Sequence, residues 1–360
     1  MKRLLIVTEL FFPSIGGQEV RYLELGGLFV KNGWAVDVVT IGSRESDAKQ
    51  QIDGMTVHRL IRSSTYRRPD ARLRRDPKIM WSFALEVKRH LRKHHYNAVL
   101  FNIWPLLPQL ISRVPRNTVA VVDWCEHRSG VAWATANTLI SRSTRKHICV
   151  SDGLKRLLSK RYRIRDIESI PSGIFTGQYS VSANKSGLLF FGRLSHHKRP
   201  EEAISATILA REHGFREHLT VAGGGPLLDE LKSKYGHLDF IRILGRVSDE
   251  EKLNLFASHR LHILPSVREG FPRTVAESMA SGTPTITTNH ADNGTVGVVQ
   301  QYRAGVVVEP GAGQIADAVL QLTNNTEEWH GYHRSGLDGS AELDWQRVYD
   351  KFIHHLGEVG

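Results

Sequence analysis

Cysteine is nearly absent. The two present, Cys125 and Cys149 in 360 residues, are too few for a disulfide framework and, alone, for a zinc site. A stapled secreted scaffold is excluded, and a reducing cytoplasm is the expected compartment. Long apolar runs are lacking as well: no stretch nears the roughly 20 residues of a membrane-spanning helix. A soluble or at most peripheral chain is expected. The start, MKRLLIVTELFF, has the basic pair and apolar run of a leader, but Glu9 interrupts the run and no small-residue cleavage site follows. LLIVTELF therefore reads as a first buried strand. Acid is in deficit: 37 Asp and Glu against 48 Lys and Arg leave a net charge of +11 and imply an acidic partner. Low-complexity tracts, solenoid repeats and any Asp-X-Asp motif in a supportive setting are missing too, so no metal is expected.

What is present is a chain of ordinary globular composition, 41% hydrophobic and 24% charged. At this length two cores are expected rather than one. The first half alternates β-branched apolar runs with amphipathic stretches. LLIVT is followed by a helix over residues 21–32, then AVDVVTI, TVHRLI, AVLFNI, a short helix, TVAVVDW, a helix near 135–142, and HICVS. The runs are apolar nearly throughout, as strands covered on both faces must be. Residues 170–187, rich in Gly, Ser and Asn, read as a linker. Thereafter the alternation restarts: GLLFFGRL, HLTVAGGG, FIRILGRV, LHILPS, PTITT and AGVVVEP, with helices between them. The expected fold class is α/β, two Rossmann-like doubly wound parallel-sheet domains facing across a cleft. Residues 1–168 would form the first domain, completed by a returning helix over 345–360, and 169–344 the second.

In such sheets ligands bind beyond the carboxyl ends of the strands. Four of the loops there are unusual. ELFFPSIGGQE brings Gly16 and Gly17 to a helix start; RLSHHKR brings Arg193 and Lys198; GGGP contributes Gly223 and Gly224; SVREGFPRTVAESMASGTP holds two glutamates, Glu269 and Glu277. Helix amides, glycine turns and two cations around one crevice suit a polyanion, with diphosphate the obvious guest. Pro272 suits the first position of a helix, leaving Glu269 in the preceding loop and Glu277 within the helix. One carboxylate can meet the hydroxyls of a sugar and the other those of a ribose, while amides near Gly270, Phe271 and Arg273 face the phosphates.

At these residues the chain resembles the retaining glycosyltransferases of family 4, the glycosyl transferases group 1, whose fold is GT-B. The hallmark of that family, two glutamates separated by seven residues, is met as EGFPRTVAE. FFPSIGGQE, SIPSGIF, FFGRLSHHKRPEEAISA, LTVAGGGPLLDEL, LGRVSDEE and ASGTPTITT extend the likeness over most of the chain. The resemblance implies that Gly17 sits beside the donor diphosphate, Arg193 and Lys198 neutralise it, Glu269 contacts the donor sugar and Glu277 the ribose. It also implies that the backbone at Arg246 and Val247 holds the base. DWQRVYDKFIHHL resembles the helix that crosses back to the first domain. Two departures stand out: Ser172 and Phe175 replace the usual Asn and Asp, and NHADNGTVG lacks the glutamate often found there.

The implied reaction moves a hexose-type sugar from a nucleoside diphosphate, UDP favoured and GDP the alternative, to an acceptor hydroxyl with retention. The donor is a co-substrate and no cofactor is expected. Charge builds on the leaving diphosphate, so a fixed clamp of Arg193, Lys198 and amides serves without a metal. His127, in VVDWCEHRSG, is the candidate on the acceptor side, with Glu126 and Asp123 behind it. Acceptors could be a glycan, a lipid-linked sugar or a small aglycone. The basic stretch from Arg59 to His95 suggests a docking face for an anionic membrane surface. Rival readings are an epimerase or hydrolase of nucleotide sugars and a nucleic-acid-binding protein. The last is disfavoured because the basic stretch has no interleaved aromatics and no zinc-finger or RNP signature appears.

Overall fold

A computed structural model describes residues 1–14, 16–66, 75–127, 131–142 and 146–357, without the side chains of 131 and 132. The chain divides into two compact units, Met1–Pro171 with Val348–Gly360, and Ser172–Arg347.

The first unit runs β1 (Arg3–Val7), α1 (Gly17–Lys31), β2 (Ala35–Gly42), β3 (Lys49–Ile52), β4 (Met55–Arg62), α2 (Pro77–Lys93), β5 (Ala98–Asn102), α3 (Leu107–Ile111), β6 (Val119–Trp124), α4 (Val131–Ser141), β7 (Lys146–Cys149), α5 (Asp152–Tyr162) and β8 (Ile167–Ser169). The sheet order is β3-β4-β2-β1-β5-β6-β7-β8. Successive side chains of a strand point to opposite faces, and β1 shows the consequence. Leu5 and Val7 join Val99, Phe101 and Val122 under α2, α4 and α5, whose Phe83, Val87, Leu91, Ile140 and Leu158 fill that side. Ile6 faces α1 on the other.

The sheet is not wholly parallel, as the sequence had suggested. β3 pairs antiparallel with β4 across Asp53 and Gly54, both at positive φ, the backbone of a tight Asp-Gly hairpin. KQQI is polar and exposed, so periodicity does not reveal it as a strand. The charge run KRHLRK is likewise helical: Asp76 caps α2 by accepting from the Lys78 amide at 2.9 Å, and Pro77 occupies the first turn.

The second unit runs β9 (Leu188–Phe191), α6 (Pro200–Glu212), β10 (Leu219–Ala222), α7 (Leu228–Tyr235), β11 (Ile241–Gly245), α8 (Asp249–Ser258), β12 (Leu261–Leu264), β13 (Arg268–Glu269), α9 (Arg273–Ala280), β14 (Thr285–Thr288), β15 (Asp292–Asn293), α10 (Gly294–Tyr302), β16 (Gly305–Val308), α11 (Ala312–Asn324) and α12 (Thr326–Ser340). Six strands form a parallel sheet in the order β11-β10-β9-β12-β14-β16, and β13 pairs with β15 alone. α13 (Trp345–Leu356) begins in this unit and ends in the first, where Tyr349 and Phe352 pack edge-on against Phe29 of α1.

The start of the linker is fixed rather than loose. Ile174 bridges Asp344, and the Asp344 carboxylate accepts from the Thr176 amide at 3.2 Å and hydroxyl at 2.6 Å. A Cβ on Gly173 would lie 2.4 Å from the Trp345 ring, so only glycine lets the chain pass there.

Candidate active site

In the sheet of the second unit the order reverses between β9 and β12: β10 and β11 lie to one side, β14 and β16 to the other. Loops leaving the two strands diverge there and open a crevice. Lys198 stands at the end of a 3-10 turn after β9, and Glu269 on β13 after β12; their side chains form an ion pair. Both are largely buried, with side chains 18% and 9% exposed, so the attraction is little screened by solvent. Ser266 donates to the same carboxylate at 2.9 Å, and the Val267 amide donates to the His197 carbonyl at 2.8 Å, fastening one loop to the other. Arg193 is exposed and, among the described residues, in no ion pair. Beneath the pair His262 on β12 is fully buried, and burial together with nearby Lys198 pushes its pKa down to about 3. At neutral pH the buried imidazole near Lys198 is therefore uncharged.

Glu269 is placed by its strand partner. β13 runs parallel to β15, pairing Glu269 with Asn293. The buried Asn293 amide donates to Thr287 Oγ1 at 3.1 Å and to the Thr288 carbonyl at 2.9 Å, while its Oδ1 accepts from the Thr295 amide and caps α10. NHADNGTVG thus has a use the sequence did not suggest: it anchors the loop that carries the first glutamate. The second, Glu277, lies on α9 with a side chain only 5% exposed, its carboxylate 3.4 Å from the Lys252 ammonium of α8. Pro272 is not the first helical residue that the sequence suggested: with φ −83° and ψ 85° it occupies the cap position, one residue before the helix proper. The Arg273 amide turns back to the Phe271 carbonyl at 3.1 Å and Pro272 has none to give, so of Phe271, Pro272 and Arg273 only Phe271 brings an amide outside this turn. The Arg273 side chain donates to the Gly173 carbonyl at 3.2 Å.

The glycine turn after β10 has a local reason. Gly223 has φ +133°, and a Cβ there would fall 1.8 Å from the Gly192 carbonyl oxygen. Its amide donates to the Gly245 carbonyl at 2.7 Å. Gly224 lies under the Arg246 side chain, and Arg246 and Val247 follow β11 directly. The glycines therefore let three strand-end loops approach one another. Lys252, one residue past LGRVSDEE, and Ser266, which opens SVREGFPRTVAESMASGTP, escaped sequence reasoning because a pairing across elements has no signature in one chain.

The remaining candidates belong to the first unit. Gly16 caps α1 in extended conformation and Gly17 opens it, with free space where its Cβ would be. His127, in the loop after β6, has Nε2 3.0 Å from the Tyr162 hydroxyl, which also accepts from Asn137 at 3.2 Å. Glu126 accepts from the Trp104 indole at 2.8 Å. Asp123 is fully buried and committed to structure: Arg21 donates to it at 2.9 Å and Tyr22 at 3.1 Å, and Arg21 also reaches the carbonyls of Ile170 and Pro171. The described residues of the basic stretch from Arg59 to His95 do not all lie on one exposed face. Arg59 is buried and donates to the Asp47 and Phe12 carbonyls and to Gln50; His90 is buried; residues 67–74 lie outside the described residues.

With this geometry the comparisons can be placed. The profile of Glycosyl transferases group 1 matches residues 177–335, and that of Glycosyltransferase Family 4 matches residues 15–178. The chain belongs to the group 1 glycosyltransferase family. Glycogen synthase of Mycobacterium tuberculosis is 27% identical over 195 residues, 51% of this chain and 47% of that one. GDP-mannose-dependent alpha-(1-6)-phosphatidylinositol dimannoside mannosyltransferase of Mycobacterium tuberculosis is 28% identical over 174 residues, 48% and 44% of the two chains. The chain spans about half the length of these curated relatives. Among solved structures, sucrose-phosphate synthase from Thermosynechococcus elongatus superposes with a TM-score of 0.79 over 98% of this chain and 97% of that one, at 16% identity. The fold class is thereby GT-B, as the group 1 motifs had implied.

Proposed function

We propose that this group 1 family member transfers a hexose-type sugar from a nucleoside diphosphate sugar to an acceptor hydroxyl, with retention at the anomeric carbon and without a metal. The observation that carries the reading is the Lys198–Glu269 pair at the switch point, a cation and a carboxylate held side by side by two strand-end loops. A sugar diphosphate offers each a partner. Its hydroxyls donate to Glu269 and its phosphate oxygens accept from Lys198 and the exposed Arg193. As the sugar–oxygen bond breaks, negative charge grows on the diphosphate, and cations already in place stabilise that charge without reorganising. Glu277, held on α9 by Lys252, receives the ribose hydroxyls, and the turn at Arg246 and Val247 takes the base. The leaving phosphate accepts the proton of the acceptor hydroxyl, and His127 lines the acceptor side in the first unit.

UDP and GDP both fit a site whose base contacts come from backbone, and one relative is named for GDP-mannose. The test is product analysis by mass spectrometry and NMR with UDP- and GDP-sugars, with and without glycan, lipid-linked and small aglycone acceptors, in excess chelator. A sugar appearing on an acceptor in the donor's anomeric configuration supports the reading. Sugar that is only epimerised or released, or product of inverted configuration, overturns it.

A further inference from the structure

Among the described residues, positive charge is concentrated on particular helices of the first unit. Helices α2, α3, α4 and α5 lie side by side on one face of the sheet of the first unit. α2 carries five Lys and Arg against one Glu, and α5 four against one Asp. α1, on the opposite face, is balanced, with two basic and two acidic residues. Exposed apolar side chains follow the same division. Trp81 on α2 is 51% exposed, Leu139 on α4 53% and Leu157 on α5 38%, whereas no large hydrophobic side chain described on α1 or α13 is exposed. Residues i, i+7 and i+11 of a helix share one stripe. Trp81, Lys88 and Arg92 therefore stand in line along α2, beside the stripe of its buried Phe83, Ala84, Val87 and Leu91. On α5, Leu157, Lys160 and Arg161 are likewise neighbours. Between α2 and the end of α3 lies an open cavity of about 360 Å³ lined by Lys88, Arg92, Ile111 and Arg113. Among the described residues none of these three cations has a carboxylate partner.

We propose that the outer face of the α2–α5 layer is a docking surface for an anionic lipid bilayer, with Trp81, Leu139 and Leu157 reaching the interface and the Lys88–Arg92–Arg113 cavity receiving a lipid phosphate. The occupant follows from two features found together. Cations attract any polyanion, but scattered exposed Trp and Leu between them gain free energy only where an apolar phase lies behind the charge. Nucleic acid would use the cations and leave the two leucines in water. A protein partner would call for a contiguous apolar patch, whereas here single apolar side chains are spread over three helices. The inference does not rest on the sugar-transfer reading.

The test is co-sedimentation of the full chain with vesicles at about 50 mM salt, where screening is weak. Binding is expected with vesicles half phosphatidylglycerol and not with pure phosphatidylcholine. Each cation near such a surface is worth roughly 1 kcal/mol, so the triple variant Lys88→Glu, Arg92→Glu, Arg113→Glu should lose at least about tenfold of its affinity. Trp81→Ala should lose about three- to tenfold through the lost interfacial anchor. A control of equal charge change on other surfaces, Lys31→Glu, Arg44→Glu, Lys49→Glu, should stay within about twofold, as a site-specific rather than net-charge effect requires. Circular dichroism establishes that each variant is folded. The proposal is overturned if no vesicle binds, if the control loses as much as the triple variant, if glycerophosphate displaces the protein fully, or if RNA competes more tightly than the bilayer.

Discussion

Each unit has a sheet that is parallel at its centre, with a switch point between β1 and β5 in the first and between β9 and β12 in the second. The two crevices are furnished differently. In the first, polar groups are matched by local partners: Arg75 to Glu9 at 2.6 Å, Trp104 to Glu126, and Asn102 to both Thr8 and Gln18. In the second, one cation and one carboxylate hold each other while Arg193 stands exposed close by in sequence. Matched polar groups keep a scaffold in shape, whereas cations with one shared partner can accept a doubly charged guest. The same topology therefore supplies, at its switch point, a buried cation–carboxylate pair with an exposed arginine nearby in one unit and a set of matched polar pairs in the other.

That comparison can be broken at several points. The largest effect is expected in the first unit and on stability. Arg21→Met strands the fully buried Asp123 carboxylate, and about 3–5 kcal/mol of unfolding free energy should be lost in denaturant titration. In the second unit Glu269→Gln should leave the melting temperature nearly unchanged and lower sugar transfer about a hundredfold or more, the scale of losing one transition-state contact. Unchanged turnover would remove Glu269 from the site. Asn293→Ala should cost about 1–2 kcal/mol of stability through its lost hydrogen bonds and lower kcat/KM by loosening β13.

Acid should weaken both units. Burial pulls His90 down to about 4 and His262 to about 3, so each is neutral when folded, whereas the unfolded side chains titrate near the ordinary value of about 6.5. Between those values the unfolded chain binds more protons. The stability these histidines contribute is present in full above pH about 6.5 and is lost as pH falls toward about 4. Melting curves across that range should slope downward with acid, and His262→Gln should flatten the slope for the second unit. The smallest effect is expected for His127→Ala: a rise in the acceptor KM with donor affinity unchanged.

The order of elements was legible because buried parallel strands are continuous apolar runs, as LLIV, AVLF and LLFF are. β3 was not, since KQQI is polar and exists only through its hairpin with β4. In the site, Lys198 and Glu269 were legible as residue types at strand ends, but their mutual pairing was not. Pairing depends on the strand order β9-β12, and strand order is not written in periodicity. The glycines after β10 were legible as a turn; that they admit neighbouring loops follows only from packing, Gly223 against Gly192 being the clearest case. The basic stretch from Arg59 misled for a similar reason. Sequence proximity joined a buried strand arginine to the exposed face of α2, and the charge belongs to a layer of helices rather than to one stretch.

The central claim, that the switch point of the second unit grips a nucleoside diphosphate, is tested most directly by calorimetric titration. UDP-glucose and GDP-mannose would be titrated in excess chelator into the native chain and into a folded Arg193→Ala, Lys198→Ala variant. The account predicts saturable binding of at least one donor by the native chain, with affinity at least about thirtyfold weaker in the variant, as expected when two charge-assisted contacts are lost. Equal affinity in the two proteins would contradict it.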